Sequence, residues 1–177
     1  MLFRSSQSIF EKSPVTYTRA ADRIVSFEKR KTLRESSIFK NVEVRSVGPV
    51  IMSGRVVDVD VNPEDPTEFL VAYASGGLWK TTNNGISFFP VMDEAEVIIM
   101  GDIAVDWKRN IIYAGTGENN SSRSSYAGLG IYKSTDGGKS WTNTGLQETH
   151  RTGRIVIHPE NPDIVWVGAQ GHLYSPN

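Results

Sequence analysis

Carboxylate and guanidinium side chains are the groups in this sequence that could do chemistry at a catalytic or ligand-binding site. Acid–base hydrolysis needs two carboxylates whose environments separate their pKa values, and the candidates here are Glu118, Asp60 and Asp106. An arginine fork binds a carboxylate through two parallel hydrogen bonds. Arg55 and Arg154 are candidate ligand-binding residues, because each directly follows a glycine that opens a sequence repeat.

Both arginines also allow a purely structural interpretation. Each guanidinium would then pair with a carboxylate on a neighbouring strand, and Asp58, Asp60 and Asp102 are the acids placed for that role. The sequence leaves this alternative open beside the ligand-binding one.

A long polar insertion at residues 117–128 contains further candidates. Glu118, Arg123 and Tyr126 lie within it and could contact a sugar or a peptide. Hydrophilic surface loops have a similar composition, so a plain connecting loop is the alternative interpretation.

The sequence contains no pattern typical of a metal-binding or cofactor-binding site. The chain has no cysteine, and its histidines at 150, 158 and 172 do not have the spacing of metal ligands. The glycine pair at 115 and 117 precedes no helical pattern, as a dinucleotide site would require. The sequence therefore predicts neither a metal site nor a cofactor.

The candidate residues are positioned by a repeat. Gly54, Gly101 and Gly153 each open a segment rich in β-branched residues, which is typical of an inner strand. A turn and further short strands follow each opening. Four short strands in roughly 40–50 residues indicate a propeller blade. The sequence predicts an all-β fold, a partial β-propeller of about two and a half four-stranded blades, preceded by a short basic helix.

A hairpin motif supports the same fold. Ser134, Asp136, Gly138 and Trp141 fit the pattern Ser/Thr-x-Asp-x-Gly-x-x-Trp. Asp136 can accept backbone N–H bonds across the turn, the Ser134 hydroxyl can bond locally, and Gly138 supplies a positive φ. Trp141 brings a large ring to the core. We interpret the motif as a structural marker on the outer side of a blade, not as a catalytic site.

The first repeat has a weaker copy of this motif. Asn replaces Asp and Phe replaces Trp, and the asparagine still offers an oxygen that can close the turn. The residues of this copy are Thr81, Asn83, Gly85 and Phe88.

These motifs resemble the BNR/Asp-box repeat proteins, a group related to the sortilin (Vps10) propeller and to xyloglucanase-like glycoside hydrolases. The resemblance implies a larger propeller that binds a protein or glycan ligand, or one that hydrolyses glycans. Xyloglucanases carry an acid shortly before the Gly-Gly of the first blade, whereas residues 71–77 contain no acid here. The segments that carry the resemblance are 46–55, 74–83, 115–121 and 171–177.

The predicted domain organisation follows from the repeats. A basic lead occupies residues 1–45 and contains a helix from about Arg19 to Ser36. An incomplete propeller occupies residues 46–177. Its parts are blade one at 46–100, blade two at 101–150 and a partial blade three at 151–177. Propellers close with about 4–8 or more blades. We therefore expect a truncated piece of a longer sortilin-like protein, completed by the remaining blades of that chain or by self-association.

Charge and hydropathy exclude some partners. The formal net charge is −1, with +5 in residues 1–45 and −6 in the remainder, so whole-surface attraction to nucleic acid is not expected. No apolar run approaches the ~20 residues of a membrane span. The N-terminus also lacks the apolar core of a signal peptide. This indicates the cytoplasm by default, whereas the resemblance implies relatives that are usually exported.

Two functional hypotheses result. The first is a non-catalytic propeller module for protein or glycan binding. The second is part of a sialidase- or xyloglucanase-like glycoside hydrolase whose catalytic set is incomplete in this chain.

Overall fold

A computed structural model describes residues 17–43, 54–120 and 126–171 of the chain. The predictions that concern Arg123 and the third strand of the third repeat, at 173–177, lie outside these residues.

One helix and ten strands form in the described part of the chain. The helix, α1, spans Ala20–Ser36, so the predicted basic helix is confirmed and begins one residue later than expected. The strands are β1 Val56–Val61, β2 Phe69–Tyr73, β3 Gly77–Thr81, β4 Phe89–Pro90, β5 Met100–Asp106, β6 Ile111–Thr116, β7 Ile131–Ser134, β8 Thr142–Gly145, β9 Arg151–Ile157 and β10 Val165–Gln170.

The strands form three antiparallel sheets, one for each predicted repeat. The first sheet is β1-β2-β3-β4, the second is β5-β6-β7-β8, and the third is β9-β10. The leading strands lie side by side, with β5 between β1 and β9. A shared apolar core connects the first two sheets and includes Leu70, Leu78, Met92, Met100, Ile103 and Ile112.

The strand register corrects one sequence-based equivalence. Each leading strand contains a bulge, and the residues directly after the three bulges are Asp58, Asp102 and Arg154. These three residues are therefore level with one another, whereas Arg55 precedes β1 and is level with Arg151. From the opening glycines, the sequence predicts that Arg55 and Arg154 occupy the same position in their repeats. That prediction is wrong, because aligning the glycines ignores the number of residues between each glycine and its bulge. Gly101 and Gly153 are equivalent, but Gly54 is not.

Helix α1 is held at its N-terminal end by the second repeat. The Ala20 N–H donates to the Glu148 carboxylate at 3.2 Å, which satisfies a backbone donor that every helix start leaves open. The Arg23 guanidinium donates to the Gly128 carbonyl at 2.7 Å. Ile24 packs against the shared core and Phe27 is buried, so the helix lies against the sheets while its basic side chains face solvent.

Within the described ranges, no helix is both long enough and apolar enough to cross a membrane.

Candidate functional site

Carboxylates on one leading strand bind the edge of the next. The Asp58 Oδ2 accepts the Ile103 N–H at 3.1 Å, and the Asp60 Oδ2 accepts the Val105 N–H at 3.0 Å. The second Asp60 oxygen accepts the indole N–H of Trp107 at 2.6 Å. Because a leading strand has a free edge, its N–H groups need acceptors from outside its own sheet, and the preceding strand supplies them.

The same device recurs at the next junction. The Asp102 Oδ2 accepts the Ile155 N–H at 2.6 Å, and Arg154 Nη1 lies 3.4 Å from the other Asp102 oxygen. Burial is the main cause that raises the pKa of Asp102 to about 6, and the neighbouring Asp58 carboxyl raises it further. Hydrogen bonding from Ile155 and the charge of Arg154 act in the opposite direction. Asp58, Asp102 and Arg154 thus interact across three sheets.

Burial also raises the pKa of Asp60. The hydrogen bonds from Trp107 and Val105 oppose this effect, since they stabilise the charged carboxylate. Both oxygens of Asp60 are therefore engaged inside the module, and the geometry places this candidate acid in a junction between sheets.

Glu118 is a buried carboxylate, with 1% of its surface exposed. It forms an ion pair with Arg55, whose side chain is 46% exposed. Two hydrogen bonds fix the segment around it: the Gly117 backbone N–H donates to the Ile99 carbonyl at 2.9 Å, and the Asn119 side-chain amide donates to the Gly153 carbonyl at 3.3 Å. Arg55 and Glu118 therefore lie together at the start of the leading strands.

Asp106 lies at the opposite end of β5, in the turn to β6. Its carboxylate accepts the Arg109 backbone N–H at 3.1 Å and pairs with the Arg109 guanidinium at 2.7 Å. Aspartates that accept such bonds close tight turns. This arrangement gives Asp106 a structural contact at its position in the turn.

Glu118 and Asp106, two of the candidate acids, lie at opposite ends of β5. Glu118 lies beside Ile99, just before β5, whereas Asp106 ends that strand. At about 3.3 Å per residue, the length of β5 separates them by roughly 20 Å. Glycoside hydrolysis requires two carboxyl groups about 5–9.5 Å apart, so Glu118 and Asp106 cannot act as such a pair.

Tyr126 is exposed at the end of the long polar loop. The loop is anchored where the Gly128 N–H donates to the His150 carbonyl at 2.8 Å. The structure therefore places one predicted loop residue at the surface.

The motif at β7–β8 forms a closed turn. One Asp136 oxygen accepts the N–H groups of Lys139 and Ser140, both at 2.9 Å, and these bonds, with the Ser140 hydroxyl, lower the pKa of Asp136. The Ser134 hydroxyl accepts the Gly138 N–H at 2.8 Å, and Gly138 has a φ of 95°. Trp141 packs against the core and donates to a backbone carbonyl.

The first repeat forms the same turn with its altered residues. The Asn83 side-chain oxygen accepts the Ser87 N–H at 2.9 Å, and the Thr81 hydroxyl accepts the Gly85 N–H at 3.0 Å. Phe88 takes the place of the tryptophan and makes an edge-on contact with Phe69. Asparagine therefore reproduces the main bonds of the aspartate.

The ion pair between Arg154 and Asp102 is of the structural kind that the sequence left open for that arginine. The approach of Asp58 to Asp102 beside it was not indicated by the sequence. A sequence signal for it exists, because acids and one arginine occupy the position after each bulge. That signal becomes visible only once the bulges fix the register.

The arrangement of the three sheets is similar to part of solved β-propeller structures. An ancestral GH74 enzyme matches with a TM-score of 0.54 and 23% identity, over 67% of this chain and 16% of that enzyme. The chain has a β-propeller fold. Its described part is an incomplete propeller, so the predicted fold class is confirmed, and we refer to its sheets as blades from here on. The chain spans about a sixth of that enzyme's length.

Other solved structures are similar over comparable stretches. A GH74 enzyme from Niastella koreensis matches with a TM-score of 0.46 and 22% identity, over 58% of this chain and 16% of that one. YCF48 from Cyanidioschyzon merolae matches with a TM-score of 0.46 and 16% identity, over 68% of this chain and 36% of that one. No protein-family model matches the chain, and neither does any curated protein.

Proposed function

We propose that this chain is a non-catalytic propeller module that binds a protein or glycan ligand. The observation that carries the proposal is the state of the candidate acids: Glu118, Asp60 and Asp106 are each engaged in bonds that hold the module together. Groups fixed in this way build a scaffold, and Glu118 and Asp106 lie too far apart to act as a pair in glycoside hydrolysis.

The ligand contacts that we propose are the arginines beside the leading strands. The Arg154 side chain is 70% exposed, and its guanidinium forms an ion pair with the buried Asp102. The Arg55 guanidinium is oriented by its ion pair with the buried Glu118. A guanidinium that is already oriented loses less freedom when it binds a carboxylate on a ligand. A ligand with an acidic group suits these arginines. The polar loop that carries Arg123 and Tyr126 is a further proposed contact for the same ligand.

The sortilin-like origin and the longer parent chain belong to the same proposal. The low share of the GH74 enzyme that the chain spans is in keeping with the longer parent chain. The turns around Asp136 and Asn83 have the hydrogen bonds of the predicted motif, which is in keeping with the sortilin-like origin. The blade limits at residues 100 and 150 likewise stay a prediction.

A glycan panel tests the binding role. We expect the chain to bind an acidic member of a panel of sialylated and β-glucan oligosaccharides without turnover. Arg154→Ala should weaken that binding about tenfold, since a single charged contact is removed. Arg109→Ala is the matched control, because Arg109 is a half-exposed arginine in a turn. Equal loss in both variants, or release of reducing sugar, would count against the proposal.

One observation favours the second candidate, a glycoside hydrolase. Asp58 and Asp102 interact on neighbouring strands, and burial raises the Asp102 pKa to about 6, which is the direction that suits a general acid. If this pair were catalytic, hydrolysis of a β-glucan would be measurable and lost in Asp102→Asn. The same assay with Glu118→Gln and Asp60→Asn covers the acids that the sequence indicated.

A further inference from the structure

The two ends of the three-blade unit expose apolar side chains on their outer faces. On β1, side chains alternate between the faces of the strand: Asp58 and Asp60 point to blade two, and the residues between them point away from it. On blade three, the outer face carries Trp166, which is 55% exposed. The exposed apolar residues of the two ends are Val56, Val59 and Val61 on blade one, and Val156, Ile164 and Trp166 on blade three.

The two junctions within the chain show how one leading strand bonds to the next. At both of them an aspartate after the bulge accepts the N–H of the next leading strand, at Ile103 in blade two and at Ile155 in blade three. Val59 is the equivalent residue of blade one by register. Its N–H instead donates to the Asp58 Oδ1 of its own strand at 2.9 Å. Blade one therefore does not need a carboxylate from the blade that precedes it.

Blade three differs from the other two in the residue that follows its bulge. Its residue after the bulge is Arg154, which has no acceptor oxygen to offer to a following strand. Arg154 does offer a positive charge, and its side chain is 70% exposed. The best neighbour for blade three is thus a leading strand that satisfies its own edge N–H and presents an acid at this level. Blade one has both features, through Val59 and Asp58.

We infer that the blade-three end of one copy of this chain packs against the blade-one end of a second copy. The interface joins two apolar faces and sets Arg154 of one copy level with Asp58 of the other, as Asp102 is level with Arg154 at the internal junction. The described parts of two copies bring six leading strands around one axis, within the number found in closed propellers of ~4–8 blades. In such a ring each copy uses one end of each kind, which makes the contact heterologous.

A complementation experiment tests this arrangement. Val59→Glu places a charge on the blade-one end, and Trp166→Glu places one on the blade-three end. We expect the full chain to be a dimer by light scattering, and each variant to be a monomer at the same concentration, because a buried unpaired carboxylate opposes association. An equimolar mixture of the two variants should form a one-to-one dimer, since one junction then contains two unaltered ends.

Further variants guard against a folding artefact. Val56→Glu and Ile164→Glu repeat the design at neighbouring positions, and circular dichroism reports whether each variant is folded. Ile86→Glu is the matched control, because Ile86 is 86% exposed in the turn between β3 and β4, and it should leave the dimer unchanged. A monomeric full chain would overturn the inference in favour of blades from a longer chain. Association that the end variants do not abolish, or a mixture that fails to pair, would also overturn it.

Discussion

At the scale of single residues, the buried environment of Asp102 raises its pKa and thereby makes folding stability depend on pH. It is 3% exposed, lies beside Asp58 and accepts the Ile155 N–H. Its pKa of about 6 in the folded chain stands against an ordinary value of 3.8. Between these values the folded protein holds a proton that the unfolded chain has released, so folding stability must fall as the pH rises from about 4 to about 6.

Asp102→Asn should therefore flatten the pH dependence of stability in this window. Asparagine keeps an oxygen for the Ile155 N–H but cannot titrate, so the variant should lose less stability than the wild type between pH 4 and 6. Urea unfolding at several pH values measures this. Asp163→Asn is the control, since Asp163 is an exposed partner of Lys133 and should leave the slope unchanged. Parallel curves for wild type and Asp102→Asn would contradict the assignment.

Asp136 has a pKa below its usual range, because hydrogen bonds from Ser140, Ser134 and Lys139 stabilise its charged form. The turn at Asn83 closes with the same backbone bond from Ser87. We thus expect Asp136→Asn to keep the turn with little loss of melting temperature, and Asp136→Ala to lower it by about 2–4 °C. Calorimetry at pH 7 distinguishes the two. An equal loss in both variants would mean that the charge, not the oxygen, holds the turn.

At the scale of elements, β5 and β9 approach closely enough to require glycine. A Cβ added at Gly101 would overlap the Thr152 and Gly117 carbonyl oxygens, both of which belong to the backbone. Backbone atoms cannot rotate away as a flexible side chain can. The strand packing beside Glu118 and Arg55 thus depends on the missing side chain at this position.

Gly101→Ala should accordingly destabilise the fold by about 1–3 kcal/mol or more, the usual range for overpacking. Gly168→Ala is the matched control, because a Cβ at Gly168 would meet its neighbours at 3.4 Å or more. Chemical unfolding of the two variants gives the comparison. If they lost the same stability, the close approach of β5 and β9 would not be a determinant of packing.

The strands themselves were predictable from the sequence, and their register was not. The segments Phe69–Tyr73 and Ile131–Ser134 form where β-branched and aromatic residues run between turn signals. The bulges after Val56 and Met100 leave no comparable local pattern, so equal spacing from a glycine gave the wrong partner for Arg55. Burial of Glu118 likewise arises from long-range packing, which an isolated loop sequence does not encode.

At the scale of the whole molecule, the blades are joined by side-chain acceptors at their leading edges as well as by apolar packing. Asp60 is the clearest case, because one carboxylate holds the Val105 N–H and the Trp107 indole of the next blade. Each of these donors would lie without its acceptor if the carboxylate were removed. A partly buried donor left unsatisfied costs about 1–3 kcal/mol, which is a large fraction of the stability of a domain.

Asp60→Ala should therefore loosen blade one from blade two, while the hydrogen bonds within each sheet remain. Native-state hydrogen exchange measures this directly: the Val105 amide should exchange faster in the variant, and the Val71 amide, inside blade one, should change less. Asp60→Asn keeps one acceptor oxygen and should give an intermediate effect. Asp65→Ala, in an exposed turn of the same blade, should leave Val105 unchanged. Unaltered Val105 protection in Asp60→Ala would show that apolar packing alone joins the blades.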